Sequence, residues 1–177
     1  MSIATRKGDD GTTGLMYNRR VSKCHPRVEA YACVDELNSA LGMARATADE
    51  EFVSVKLLAV QRDLVNLMGE LATLPEDLER YRKDGFQCVT SETASKLDQW
   101  VAEIEGQKVS FKGWATPGDN APSAALEVAR ATCRRAERRV CELREKDELP
   151  NADIIIYLNR LSDLLWLLAR WAENLTA

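Results

Sequence analysis

The sequence predicts an all-α fold, an up-and-down five-helix bundle over residues 25–177 that follows a polar segment over residues 1–24. Three observations carry this. Glycine and proline are scarce, 9 and 5 in 177 residues, so long uninterrupted elements are expected. Apolar residues recur at helical spacing from Pro26 onward, whereas no stretch alternates with the period of a strand. Hydrophobic residues make up 45% and charged residues 29%, the composition of a globular chain long enough to bury one core. A single domain spanning 1–177 follows.

Each helix has its own signals. Pro26 suits the first turn of a helix reaching about Thr47. Its apolar face carries Ala30, Val34, Leu37, Leu41 and Ala44, with Tyr31, Asp35, Asn38 and Gly42 on another face. A second helix runs from about Asp49 to Leu74, with Val53, Leu57, Val60, Leu64, Leu67, Leu71 and Leu74 spaced as a seam that Pro75 stops. Residues 75–89 are polar and read as a loop. Thr90 or Ser91 caps a third helix that ends at Gly106, and residues 107–122 form a loop holding Trp114, Pro117 and Gly118. A fourth helix opens near Pro122–Ser123 and runs to about Lys146. Asn151 caps a fifth that runs close to the chain end. No strand of any length and no internal repeat is expected.

The net charge is −4, yet Arg130, Arg134, Arg135, Arg138 and Arg139 crowd one short stretch of the fourth helix. A basic cluster on an acidic chain points to a local anion site. On a helical wheel Leu126, Ala129, Cys133, Ala136, Val140 and Leu143 form the core stripe, and Arg130, Arg134 and Glu137 border it. Arg135 and Arg139 point more to solvent, with Arg138 between. Glu137 is placed to pair with Arg134, which leaves Arg130 in search of a carboxylate or phosphate. A solvated face laced with intrahelical pairs would explain such a helix equally well. The cluster alone therefore assigns no function. The fifth helix has a polar face of Asn159, Asp163, Trp166 and Arg170, and the first has Asp35 and Asn38. Such faces mark a site between helices, an oligomer interface or plain solvent exposure.

The segment Thr5-Arg6-Lys7-Gly8-Asp9-Asp10-Gly11-Thr12-Thr13-Gly14 has the chemistry of a phosphate loop. Glycines let backbone N–H groups approach oxyanions, while hydroxyls and cations add donors. It is not a Walker A loop, because no GKS or GKT follows. Lys23 adds a point charge nearby. His25, the single histidine, precedes a proline and reads as a solvated or capping residue, so a histidine triad or metal site is unsupported. The five cysteines form no CxxC pair and read as reduced thiols of a cytoplasmic protein. No signal peptide is visible, and polar residues interrupt the longest apolar run, which argues against a membrane span. The acidic total and the lack of a second basic patch oppose nucleic-acid binding. A purely structural scaffold leaves the Gly/Thr segment unexplained.

Taken together, TRKGDDGTTG, RVSK followed by HPRVEAYACVDELNSALG, RATCRRAERRV and YLNRLSDLLWLLAR resemble the PduO-type ATP:cob(I)alamin adenosyltransferases, in order and over nearly the whole chain. The resemblance implies a ferritin-like five-helix bundle forming a homotrimer with active sites between subunits. It implies ATP with Mg²⁺ and cobalamin as reactants, adenosylcobalamin and triphosphate as products, and no catalytic Ser, Cys or His. A cobalamin reductase and an adenosylcobalamin-dependent enzyme are the implied partners, with no nucleic acid and no membrane.

By position, the resemblance assigns ATP binding to Thr5, Arg6, Lys7, Gly8, Thr13, Gly14, Lys23, Arg134, Arg135, Glu137, Arg138 and Asn159. Arg130 matches an arginine that pairs across the subunit interface with an aspartate, here Asp35. Asp163 lies in a matching motif without an assigned role. The loop before the arginine helix departs from the family's Phe-x-Leu-Pro-Gly-Gly and reads Trp114-Ala115-Thr116-Pro117-Gly118-Asp119. Trp114 would take the place of the aromatic that packs under the corrin ring. Arg130, Asp35 and Trp114 are the candidate catalytic set.

Overall fold

The protein is described by a computed structural model that covers residues 4, 6–107, 109 and 114–175. Six α-helices stand among the described residues, where the sequence suggests five: α1 (Pro26–Thr47), α2 (Glu51–Leu71), α3 (Leu78–Lys83), α4 (Ser91–Glu105), α5 (Ala121–Glu145) and α6 (Asp153–Asn174). The additional one is the six-residue α3, inside the segment expected as a loop. Its Leu78 and Tyr81 are buried, and this tertiary burial outweighs a local sequence too short and polar to show a period. Gly69 on α2 makes room for it: a β-carbon there would stand 2.5 Å from Tyr81 Oη.

Helix ends follow their caps. His25 Nδ1 accepts from the Arg27 amide at 3.1 Å ahead of Pro26, the capping role expected of it. Thr90 and Thr93 close a capping box on α4. Asn120 Oδ1 accepts from Ser123 N at 2.8 Å on α5, and Asn151 Oδ1 from Asp153 N at 3.1 Å before α6. α2 ends at Leu71, earlier than the seam suggests. Its terminal carbonyls are taken by the buried Arg27, whose Nη1 donates to the oxygens of Leu71 (3.0 Å) and Thr73 (3.1 Å). Arg27 Nη2 also donates to the Glu148 carbonyl at 2.6 Å, so one guanidinium ties the start of α1 to the end of α2 and to the α5–α6 turn.

α1 lies against α2 and α5, α5 against α6, and α6 against α4. Their facing stripes make one apolar core that includes Leu37, Leu64, Leu97, Leu126, Val140 and Leu161. No helix among the described residues is long and apolar enough to cross a membrane.

The N-terminal segment holds the one departure from all-α among the described residues. β1 (Thr12–Gly14) and β2 (Arg20–Ser22) pair antiparallel, with Thr12 opposite Ser22 and Gly14 opposite Arg20. Strands of three residues are too short to display an alternating pattern, so the expectation of no strand fails here. Tyr17 and Asn18 reverse the chain between them at φ of 58° and 59°. The tip of this ribbon is fastened to the bundle. Met16 N donates to the Ala72 carbonyl at 3.0 Å, between the two carbonyls held by Arg27. Arg19 grips Asp77 with two bonds of 2.7 and 3.0 Å, and Tyr17 Oη donates to Asp84 at 2.9 Å.

Candidate functional site

With its tip docked, the ribbon presents its other end as a cradle. Lys7, Gly8, Thr12, Thr13, Gly14, Leu15, Asn18, Arg20 and Lys23 line a cavity of about 410 Å³. Five of the residues assigned to ATP from the sequence, Lys7, Gly8, Thr13, Gly14 and Lys23, thus meet in one concavity. The Lys23 amide donates to the Gly11 carbonyl at 2.9 Å, which returns the chain over the turn. Asp10 Oδ1 accepts from Thr12 N at 2.9 Å and Thr12 Oγ1 at 2.7 Å, and these bonds hold its carboxyl below the usual range. Arg20 Nη2 donates to the Lys7 carbonyl at 2.7 Å and also contacts Thr12 Oγ1, bracing the turn. Arg20 and Thr12, which lie in the quoted motifs, have no ATP assignment from the sequence. Their polar partners lie across a ribbon that the sequence did not reveal. Arg6 has φ of 58° and is exposed at the edge of the described segment, while Thr5 lies outside the described residues.

The arginines of α5 divide differently from the wheel. Arg134 and Arg138 are exposed and form no ion pair among the described residues. Arg135 and Arg139, expected toward solvent, lean on α1 instead. Arg135 pairs with Glu36 and approaches Cys33 Sγ at 3.7 Å, and Arg139 reaches Glu29 at 3.4 Å and Glu142 at 2.7 Å. The wheel weighs apolar positions only, and it cannot see that α1 brings two glutamates to that side. Glu137, expected beside Arg134, accepts from Asn159 Nδ2 at 3.2 Å across α5 and α6. Arg160 spans Asp98 at 2.5 Å and the exposed Asp163 at 3.3 Å. Arg134 and Arg138 are thus exposed cations without an ion pair among the described residues, on the same helix as Glu137, and suit an anion.

Arg130 is not without a partner in its own chain. Its Nε bonds Glu127 Oε2 at 2.7 Å, one turn earlier, a pairing the sequence reading overlooked. Glu127 in turn bonds Arg170, which was read as part of a polar face and is buried. Asp35 is exposed on α1 and makes no ion pair among the described residues. Trp114 stands 94% exposed, an unusual position for an indole.

Four of the five thiols are held in their neutral form. All five cysteines are unbridged, and burial raises the pKa of Cys33, Cys88, Cys133 and Cys141. Among the described residues no group of three or more His, Cys, Asp or Glu is placed to hold a metal.

Comparison with known proteins bears on this geometry. Residues 3–172 match the family model described as "Cobalamin adenosyltransferase". The chain is 40% identical over 169 residues to a cobalamin adenosyltransferase of Cupriavidus metallidurans, covering 95% of this chain and 86% of that protein. It is 38% identical over 177 residues to the corrinoid adenosyltransferase PduO of Salmonella typhimurium, covering 98% of this chain but only 50% of that protein. Among solved structures, it superposes with a TM-score of 0.89 on a single-residue variant of a PduO-type ATP:corrinoid adenosyltransferase from Lactobacillus reuteri complexed with cobalamin and ATP. That pair is 34% identical over 99% of this chain and 95% of the other.

Proposed function

This chain belongs to the cobalamin adenosyltransferase family, and from that premise we propose that it transfers the 5′-deoxyadenosyl group of ATP to cob(I)alamin, yielding adenosylcobalamin and triphosphate. The observation that carries this reading is the cationic cradle of Lys7, Gly8, Thr13, Gly14 and Lys23, built on a ribbon fastened to the bundle. The substrates are MgATP and a corrinoid whose reduced cobalt is itself the nucleophile. The chain then needs to position the two and stabilise the leaving group, not to supply a side-chain nucleophile.

Charge grows on the triphosphate as the bond to the 5′ carbon breaks. The cradle's amides, Lys7 and Lys23 would hold that triphosphate, and Arg6 and Thr5 are proposed to add donors to it. Arg134 and Arg138, exposed and unpaired, supply charge-assisted donors, and Glu137 with Asn159 offers polar contacts to the nucleoside. Arg135, held by Glu36, frames the same face. Trp114 is the aromatic that would lie under the corrin and keep the lower axial position dry.

Asp35 and Arg130 fit a site shared between copies. Among the described residues Arg130 is paired through Nε, and Asp35 is exposed and forms no ion pair. A homotrimer of up-and-down five-helix bundles, α3 being an appended turn, would bring Asp35 of one copy to Arg130 of another. A reductase would deliver the cobalt as Co(I), and an adenosylcobalamin-dependent enzyme would receive the product.

The direct test mixes the purified protein with MgATP and chemically reduced cobalamin under anaerobic conditions. The absorbance change of adenosylcobalamin formation is expected, and its absence at full ATP occupancy would sink the assignment.

A further inference from the structure

Arg170 lies on α6 with its side chain 1% exposed. A charge taken out of water needs partners, and it has two carboxylates: Glu127 Oε1 at 3.1 Å and Glu173 Oε1 at 2.8 Å. Glu127 is itself only 5% exposed, and its second oxygen accepts from Arg130 Nε at 2.7 Å. One buried carboxylate therefore bridges two guanidinium groups, one in the core and one, 30% exposed, at the surface of α5. A lone buried ion pair adds little stability over an apolar pair of the same size. What this arrangement adds is position. With Nε anchored, the plane of the Arg130 guanidinium is set, and among the described residues neither Nη is paired, which leaves both for a partner outside the chain.

We propose that Glu127 and Arg170 are positioning residues for Arg130: the buried α6 guanidinium fixes the Glu127 carboxylate, and that carboxylate aims Arg130 at its partner in the active site. This rests on the adenosyltransferase reading for the role of Arg130. The relay runs from α6 to α5 through one shared carboxylate, so it couples the placement of Arg130 to the packing of the last helix. Arg130→Lys would lose it, because an ammonium cannot present one edge to Glu127 and another outward.

The test uses the full-length protein and two readouts. The first is the Nε–Hε cross-peak of Arg130 in ¹⁵N NMR spectra, identified by its loss in Arg130→Lys. In Glu127→Gln the neutral amide keeps an oxygen for Arg170 but loosens its hold on Arg130. Exchange of that Hε with solvent is expected to accelerate by about tenfold or more. The second is turnover with MgATP and chemically reduced cobalamin, expected to fall by about tenfold to a hundredfold in Glu127→Gln. Combined with Arg130→Ala, the same substitution should cause no further loss. Arg170→Met should reproduce both effects; if it fails to fold, Glu127→Gln decides the matter alone. Unchanged Hε exchange overturns the relay, as does a turnover loss that adds in full to that of Arg130→Ala. If the unaltered protein shows no adenosyl transfer, the functional reading fails, and the Hε exchange still decides whether Glu127 holds Arg130.

Discussion

Gly8 and Lys23 meet at the cradle: a β-carbon on Gly8 would stand 3.1 Å from Lys23 Nζ and 3.3 Å from the Thr12 carbonyl oxygen. A β-carbon there would make the ammonium and the Thr12 carbonyl yield by a few tenths of an ångström, so the hydrogen at Gly8 keeps Lys23 across the turn, close to where phosphate oxygens would sit. Gly8→Ala is expected to push the ammonium aside and raise the KM for ATP by about tenfold, with a smaller change in kcat. Initial rates at varied ATP measure this. An unaltered KM would place Lys23 outside the nucleotide site.

Arg134 is exposed and forms no ion pair among the described residues, so it contributes little to folding. Arg134→Ala should shift stability by no more than about 0.5 kcal/mol in urea unfolding. If it stabilises the leaving triphosphate, turnover should fall on the order of a hundredfold to a thousandfold. A large loss of stability with preserved turnover would reverse this assignment.

Trp114, at 94% exposure, touches too little of its own chain to stabilise it. Trp114→Ala should leave the thermal midpoint in place. It should abolish the absorption signature of four-coordinate cob(II)alamin in the ATP-bound protein and slow transfer to the corrinoid. Persistence of that signature would show that another group excludes the lower ligand.

Asp77 is held by Arg19, whose side-chain bond lowers its carboxyl pKa below the usual 3.8. A carboxyl depressed in the folded state stabilises above its unfolded pKa, and the effect is lost as pH falls through the folded value. Ribbon docking should therefore be constant from neutral pH to about pH 4 and weaken only below it. Hydrogen exchange at the Met16 amide, bonded to the Ala72 carbonyl, reports the docking directly. Asp77→Asn should loosen it at neutral pH and remove the weakening below about pH 4, where the protonated aspartic acid is equally neutral. Protection unchanged in that variant would mean that Tyr17 and Met16 suffice.

The long helices were legible because their signals are local. Pro26, Thr90, Asn151 and the apolar stripes sit within a turn or two of what they specify, and the observed bounds of α1 and α4 fall where those residues put them. The ribbon and α3 were not legible. Three-residue strands and a six-residue helix are too short to carry a period, and they exist because Met16, Arg19 and Tyr17 find partners at residues 72–84. The seam alone also misplaced the end of α2, which Arg27 fixes from another helix.

The sequence by itself determined the helical class, the glycine- and lysine-bearing segment suited to a phosphate, and, through resemblance in four ordered stretches, the family. Each depends on residue type and spacing along the chain. Only the tertiary structure decided which arginines of α5 have carboxylate partners in their own chain. Arg135 and Arg139 meet glutamates of α1, and Arg130 is anchored through Nε by a carboxylate bound to α6. Arg134 and Arg138 stay unpaired among the described residues. A helical wheel gives the direction of a side chain but not the charges that neighbouring helices bring to it, and those charges decide which cations remain for a substrate.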